Sequence, residues 1–154
     1  MKRLPHVAML LVAVALVAAD KGEKKKSDAE KIQGKWIVVE AYHKDKKDGG
    51  QVGKFVTFSG KKMTLRLQRG EGRAFETVFE LRPDKKPREL DMIFKVSGGE
   101  KTFEAIYELS GDTLKICFPD PGKGRPRLMG TAADDERRLL VLKRAKGDKG
   151  DDKK

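Results

Sequence analysis

The chain has 154 residues, room for one domain and little more, and its 35 Lys and Arg against 24 Asp and Glu leave a formal charge of +11. Apolar residues reach 38% before the 16 glycines are counted, which excludes a wholly disordered chain, and no apolar run is long enough to span a bilayer. A single Cys excludes an internal disulfide framework and a Cys-rich zinc site, and the lack of Asn excludes Asn-linked glycosylation.

Lys2 and Arg3 precede an apolar stretch from Val7 to Ala19, and Val17-Ala18-Ala19 supplies the small residues a signal peptidase reads. Residues 1–19 are therefore expected to be a cleaved secretory signal peptide, which addresses the protein to the periplasm or the exterior. Cleavage there removes His6 and leaves His43 as the only histidine. Residues 20–27 form a polar, Lys-rich leader expected to be flexible. Ser27-Asp28-Ala29-Glu30 matches a capping box, so a helix of one or two turns is expected to run to Gln33 and stop at Gly34.

Beyond Gly34 apolar and polar residues alternate in short runs. The alternation predicts strands at Lys35–His43, Gly53–Ser59, Lys62–Gln68, Arg73–Leu81, Arg88–Val96, Lys101–Leu109, Thr113–Phe118 and Arg138–Arg144. The connectors Asp48-Gly49-Gly50, Ser59-Gly60-Lys61, Gly70-Glu71-Gly72, Ser97-Gly98-Gly99 and Ser110-Gly111-Asp112 are short and tolerate positive φ. Such connectors make sequential strands antiparallel neighbours. The fold class is all-β, an up-and-down antiparallel barrel of about eight strands over residues 28–145 with a short N-terminal helix. An open sheet or a sandwich is the competing architecture. Residues 146–154 are a charged tail that can bury nothing.

Parity along each strand separates an apolar face from a charged one. Met63, Leu65 and Leu67 oppose Lys62, Thr64 and Arg66; Leu90, Met92 and Phe94 oppose Glu89, Asp91 and Lys95. Phe103, Ala105, Tyr107 and Leu109 share a face, as do Leu114, Ile116 and Phe118, while Cys117 falls on the outer face with Lys115. The segment from Arg73 to Leu81 is ambiguous. On the first strand the same rule puts Glu40 inside with Trp36 and Val38.

Gly34-Lys35-Trp36, between a capped helix and a meander, resembles the Gly-x-Trp signature of lipocalins. In that family the Trp packs at the closed end of the barrel under a basic residue of the last strand. Arg144 in Leu139-Leu140-Val141-Leu142-Lys143-Arg144 matches that residue, and Gly34, Trp36 and Arg144 are the barrel-closing group the resemblance implies. The segment from Ala105 to Phe118, continued by Pro121-Gly122-Lys123-Gly124-Arg125-Pro126, is similar to the hairpin of a small secreted domain family with many paralogues in planctomycete bacteria. That family is usually described as lipocalin-like, and the resemblance implies a secreted calycin-type barrel without assigning it a biochemical role.

Catalytic chemistry finds little to work with. A nucleophile–base pair would need His43, and its one thiol partner is Cys117; the plain reading is an exposed His and a strand-packed thiol. The carboxylates alternate with apolar residues as on a solvated face, so no metal centre and no cofactor is expected. Gly49-Gly50-Gln51-Val52-Gly53-Lys54-Phe55 lacks the spacing and the Ser or Thr of a phosphate loop. The basic clusters lack interleaved aromatic residues, which argues against specific nucleic-acid binding.

The expectation is a non-enzymatic protein that binds a small apolar molecule in its barrel. Its lining would be Trp36, Val38, Glu40, Met63, Leu65, Met92, Phe94, Tyr107 and Ile116. The alternative is a side-chain-filled barrel serving as an envelope interaction module. There, Lys-rich turns and the Arg125-Pro126 loop would meet an anionic polymer.

Overall fold

A meander of hairpins keeps two free edges unless its ends meet, and here they meet. The computed structural model describes residues 25–66 and 73–146. Helix α1 (Asp28–Lys31) precedes β1 (Gly34–His43), β2 (Lys46–Lys47), β3 (Phe55–Ser59), β4 (Lys62–Arg66), β5 (Ala74–Arg82), β6 (Glu89–Val96), β7 (Gly99–Ser110), β8 (Thr113–Phe118) and β9 (Arg138–Arg144). The sheet order is β2-β1-β3-β4-β5-β6-β7-β8-β9, and β1 pairs again with β9. Strands β1 and β3 to β9 thus form a closed eight-stranded antiparallel barrel, as the alternation predicts, and β2 is a short addition to the end of β1. The expected signal peptide, most of the leader, residues 67–72 with the end of the expected strand Lys62–Gln68 and the expected Gly70-Glu71-Gly72 connector, and the tail from 147 lie outside the described residues. No helix among the described residues is long and apolar enough to cross a membrane.

The capping box forms as read. Ser27 Oγ accepts from the Glu30 N–H, and the Ser27 N–H donates to Glu30 Oε2 at 2.7 Å. The helix ends one turn later at Ile32, whose side chain is fully buried in the barrel core. Gln33 then ties α1 to the β3–β4 turn, donating to the Gly60 carbonyl and accepting from the Gly60 N–H at 2.8 Å. One barrel end is therefore stoppered by α1, while the other carries the β6–β7 turn, the end of β8 and the start of β9.

The core is one cluster running from Ile32, Trp36 and Val38 through Phe58, Met63 and Phe79 to Leu114, Ile116 and Leu142. On β5 the ambiguity resolves with Thr77 and Phe79 buried and Glu76, Val78 and Glu80 exposed. Thr77 can enter because its hydroxyl donates to the Ile93 carbonyl.

Parity fails at one point. The β1–β9 register pairs Val38 with Leu142 but Glu40 with Val141, so Val39 is the extra residue of a β-bulge. The bulge reverses the alternation: Ala41, not Glu40, faces inward opposite Leu140. Glu40 is exposed and accepts a hydrogen bond from the Tyr42 hydroxyl at 2.7 Å. Its placement in the barrel lining is thereby corrected. A period-two reading has no means of seeing an inserted residue.

Candidate functional site

Trp36 sits at the closed end with no exposed surface, its indole Nε1 donating to the Ile32 carbonyl at 2.8 Å. The Arg144 guanidinium lies 4.3 Å from the centre of the ring. Its nitrogens donate to the carbonyls of Gln33 (2.8 Å) and Lys31 (2.7 Å) and to Asp112 Oδ1 (3.0 Å). Arg144 thus satisfies carbonyls left open at the end of α1 and ties the last strand to the β7–β8 turn. Gly34 has φ +107, and a Cβ built there would lie 3.3 Å from Arg144 Nη1, so the close approach requires glycine.

Tyr107, one of the predicted lining residues, faces inward, but its hydroxyl is already engaged. It donates to Asp28 Oδ2 at 2.9 Å, and Arg88 Nη1 donates to the same oxygen at 2.8 Å. Burial and then the Asp28 hydrogen bond push the Tyr107 phenol well above its ordinary pKa. Burial opposes ionisation of Asp28, but donation by Tyr107 and Arg88 outweighs it and holds the carboxylate below its usual range. The triad pins the first turn of α1 to β7. Sequence reasoning missed it because the partners are 60 and 79 residues apart along the chain.

The remaining predicted lining residues fall into two groups. Val38, Met63, Met92 and Ile116 are buried with Trp36 and Tyr107 in the continuous core. Leu65 and Phe94 lie nearer the open end and are half-buried. There Phe94 meets Phe103 edge to face at 5.3 Å between ring centres, and Phe103 meets Phe118 at 5.9 Å. Leu140 extends this surface on β9. Phe75, 46% exposed, and Val96, 43% exposed, stand at the same end. Phe103, Phe118 and Leu140 belong to this candidate site. Their strand parity signals an inward direction, but not that they sit at the wet end.

Residues 119–137 join β8 to β9, a connection longer than the usual limit of about 12–15 residues for an unstructured loop. The connection folds back over the outer face of the barrel. Ile106 and Cys117, outward by register, are buried there, as are Pro119 and Pro126. The Cys117 thiol donates to the Gly130 carbonyl at 3.2 Å, and burial raises its pKa above that of an ordinary thiol. Arg125 donates to the Ala105 carbonyl and to Asp91 Oδ1, both at 2.5 Å, with Glu89 and Glu104 at 3.6 Å. Arg82 grips Asp91 and Glu89 from the other side. The reading of Arg125-Pro126 as an external contact loop is corrected: both turn inward, and the sequence offered no sign of the carboxylates that hold Arg125. Among the described residues no group of three His, Cys, Asp or Glu side chains is placed to hold a metal ion. Comparison with protein-family models, with curated proteins and with solved structures finds no match to this chain.

Proposed function

We propose that the protein is a secreted, non-catalytic, lipocalin-like binder of one small apolar molecule, seated at the open end of the barrel. The observation that carries this reading is the half-buried run Phe94, Phe103 and Phe118, flanked by Leu65 and Leu140 and bordered by exposed Phe75 and Val96. Apolar surface left accessible at the rim of a rigid barrel is a feature that binding sites share. The packed half of the core, from Trp36 to Ile116, is occupied by its own side chains, so the ligand is shallow. The signal-like segment 7–19 and the lipocalin-like sequence around Gly34-Lys35-Trp36 support export and family.

Titration with the neutral fluorophore N-phenyl-1-naphthylamine tests the reading. Saturable one-to-one binding is expected, weakened at least about tenfold by Phe103→Glu because a carboxylate would be desolvated beneath the probe. Val78→Glu, on the outer face, should leave it unchanged. Absence of saturation, or equal loss in both variants, overturns the proposal. The packed core also favours a second reading, a filled barrel that contacts an anionic envelope polymer through its Lys-rich turns. Salt-sensitive retention on an acidic polysaccharide without fluorophore binding would select it.

A further inference from the structure

Carboxylates and lysines are used differently at the stoppered end of the barrel. The approach to α1, the β3–β4 turn, the β5–β6 turn and the end of β9 meet there. Gln33 ties the β3–β4 turn to α1, Arg88 ties the β5–β6 turn to it, and Arg144 ties β9 to it. The carboxylates of this end are taken up within the fold. Asp28 accepts from Tyr107 and Arg88, Glu30 closes the capping box, Glu89 accepts from Arg82, and Asp112 accepts from Arg144. Asp84 alone is exposed there without a hydrogen-bonded or ion-paired side-chain partner among the described residues.

The lysines are not taken up. Lys25 and Lys26 before α1, Lys61 in the β3–β4 turn, Lys85 and Lys86 in the β5–β6 turn and Lys146 after β9 are exposed, and none has a carboxylate within 4.0 Å among the described residues. At the open end the unpaired cations Lys46, Arg66 and Lys101 stand with the exposed carboxylates of Asp45, Glu100 and Asp134 around an apolar centre. The excess of accessible positive charge therefore lies at the stoppered end, and segments far apart in sequence contribute it. Separated ammonium groups do not converge on a compact anion. A charged plane asks for no convergence, because each lysine near it adds its own attraction.

We infer that the stoppered end is a docking face for an anionic lipid bilayer, against which the barrel stands with its open end turned away. The chain itself favours a bilayer over a dissolved polymer. Ala19, the last residue of the apolar stretch, is six residues from Lys25, a reach of at most about 22 Å. While that stretch is held in a membrane, as the export reading has it, the stoppered end is the end brought to the lipid surface. Lys21, Lys24, Lys25 and Lys26 lie in the joining segment, and cleavage after Ala19 leaves them on the barrel. The inference rests on the export reading for the choice of lipid alone. The docking face shares no residue with the apolar site and leaves it open to the aqueous side.

The test is co-sedimentation of the chain from Asp20, which holds the helix and every barrel strand, with phosphatidylglycerol vesicles at about 0.1 M salt. Retention is expected there and not on phosphatidylcholine vesicles. The triple reversal Lys26→Glu/Lys61→Glu/Lys85→Glu should weaken retention at least about tenfold. The control reversal Lys46→Glu/Arg66→Glu/Lys101→Glu alters net charge equally at the open end and should weaken it less than about threefold. All six positions are exposed, and unchanged Trp36 emission checks that both variants keep the closed barrel. Equal loss in the two variants, or no retention on phosphatidylglycerol, overturns the inference. Tighter retention on a soluble acidic polysaccharide than on the vesicles also overturns it, in favour of a polymer partner. The vesicle result does not depend on where the signal-like segment is cut, which the mass of the exported chain reports separately.

Discussion

Arg144 stacks over Trp36 at 4.3 Å while three of its nitrogens reach Lys31, Gln33 and Asp112, so one side chain joins the last strand, the helix end and the β7–β8 turn. A planar fork does this and an ammonium does not. Arg144→Lys should therefore lower unfolding free energy by about 1–3 kcal/mol, close to the loss in Arg144→Ala, as measured by urea denaturation. Full stability in the Lys variant would show that the stopper does not depend on the stack.

Gly34 makes that stack geometrically available. Gly34→Ala places a Cβ at φ +107 beside Arg144 Nη1 and should cost about 1–3 kcal/mol. If the strain acts through Arg144, the cost shrinks in the Arg144→Ala background, and a double-mutant cycle measures the coupling.

Asp28 predicts a pH dependence. Its folded pKa is lowered, so the stability it contributes is fully present above the ordinary carboxylate value of about 4 and is lost as pH falls through the lowered value. Asp28→Asn should cost about 1–2 kcal/mol between pH 5 and 8, from the weakened contacts with Tyr107 and Arg88, and the gap to the parent should close on further acidification. Denaturation midpoints across pH 2 to 8 provide the measurement. A gap that widened toward low pH would contradict the assignment.

The bulge at Val39 makes neighbouring residues unequal. Glu40→Gln should change stability by no more than about 0.5 kcal/mol, because the side chain is in water. Ala41→Glu should cost more than about 3 kcal/mol, because it drives a carboxylate into the core opposite Leu140. Thermal melts of the two variants distinguish this register from uninterrupted alternation, which predicts the reverse order.

Cys117 reports on the β8–β9 connection. Buried beneath residues 119–137 with its pKa raised, it should react with a disulfide reagent far more slowly than a free thiol. Arg125→Ala removes the grip on Asp91 and Ala105 and should speed labelling about tenfold or more. Unchanged labelling would mean that the connection stays down without Arg125.

The eight barrel strands were readable because each half-buried strand must alternate and tight turns such as those at Gly60, Gly98 and Gly111 need a residue that tolerates positive φ, both local demands written residue by residue. Thr113–Phe118 and Arg138–Arg144 are found with the bounds the alternation implies. The capping box was readable for the same reason, its partners lying three residues apart. Glu40 and the β2 ladder were not. The bulge is a matter of register between two strands about a hundred residues apart in sequence, and the Lys44-Asp45 turn carries no glycine to announce it.

The sequence by itself determined that the strands would form a sheet with one greasy face turned away from water, since alternation leaves that face no stable place in solvent; the pairing of β1 with β9 decided that the sheet closes on itself rather than lying open or against a second sheet. Tertiary structure alone decided which inward residues lie deep and which at the wet end, and that Arg125 faces carboxylates. These depend on depth along the barrel and on contacts between distant segments. A one-dimensional pattern of polar and apolar residues does not encode either quantity.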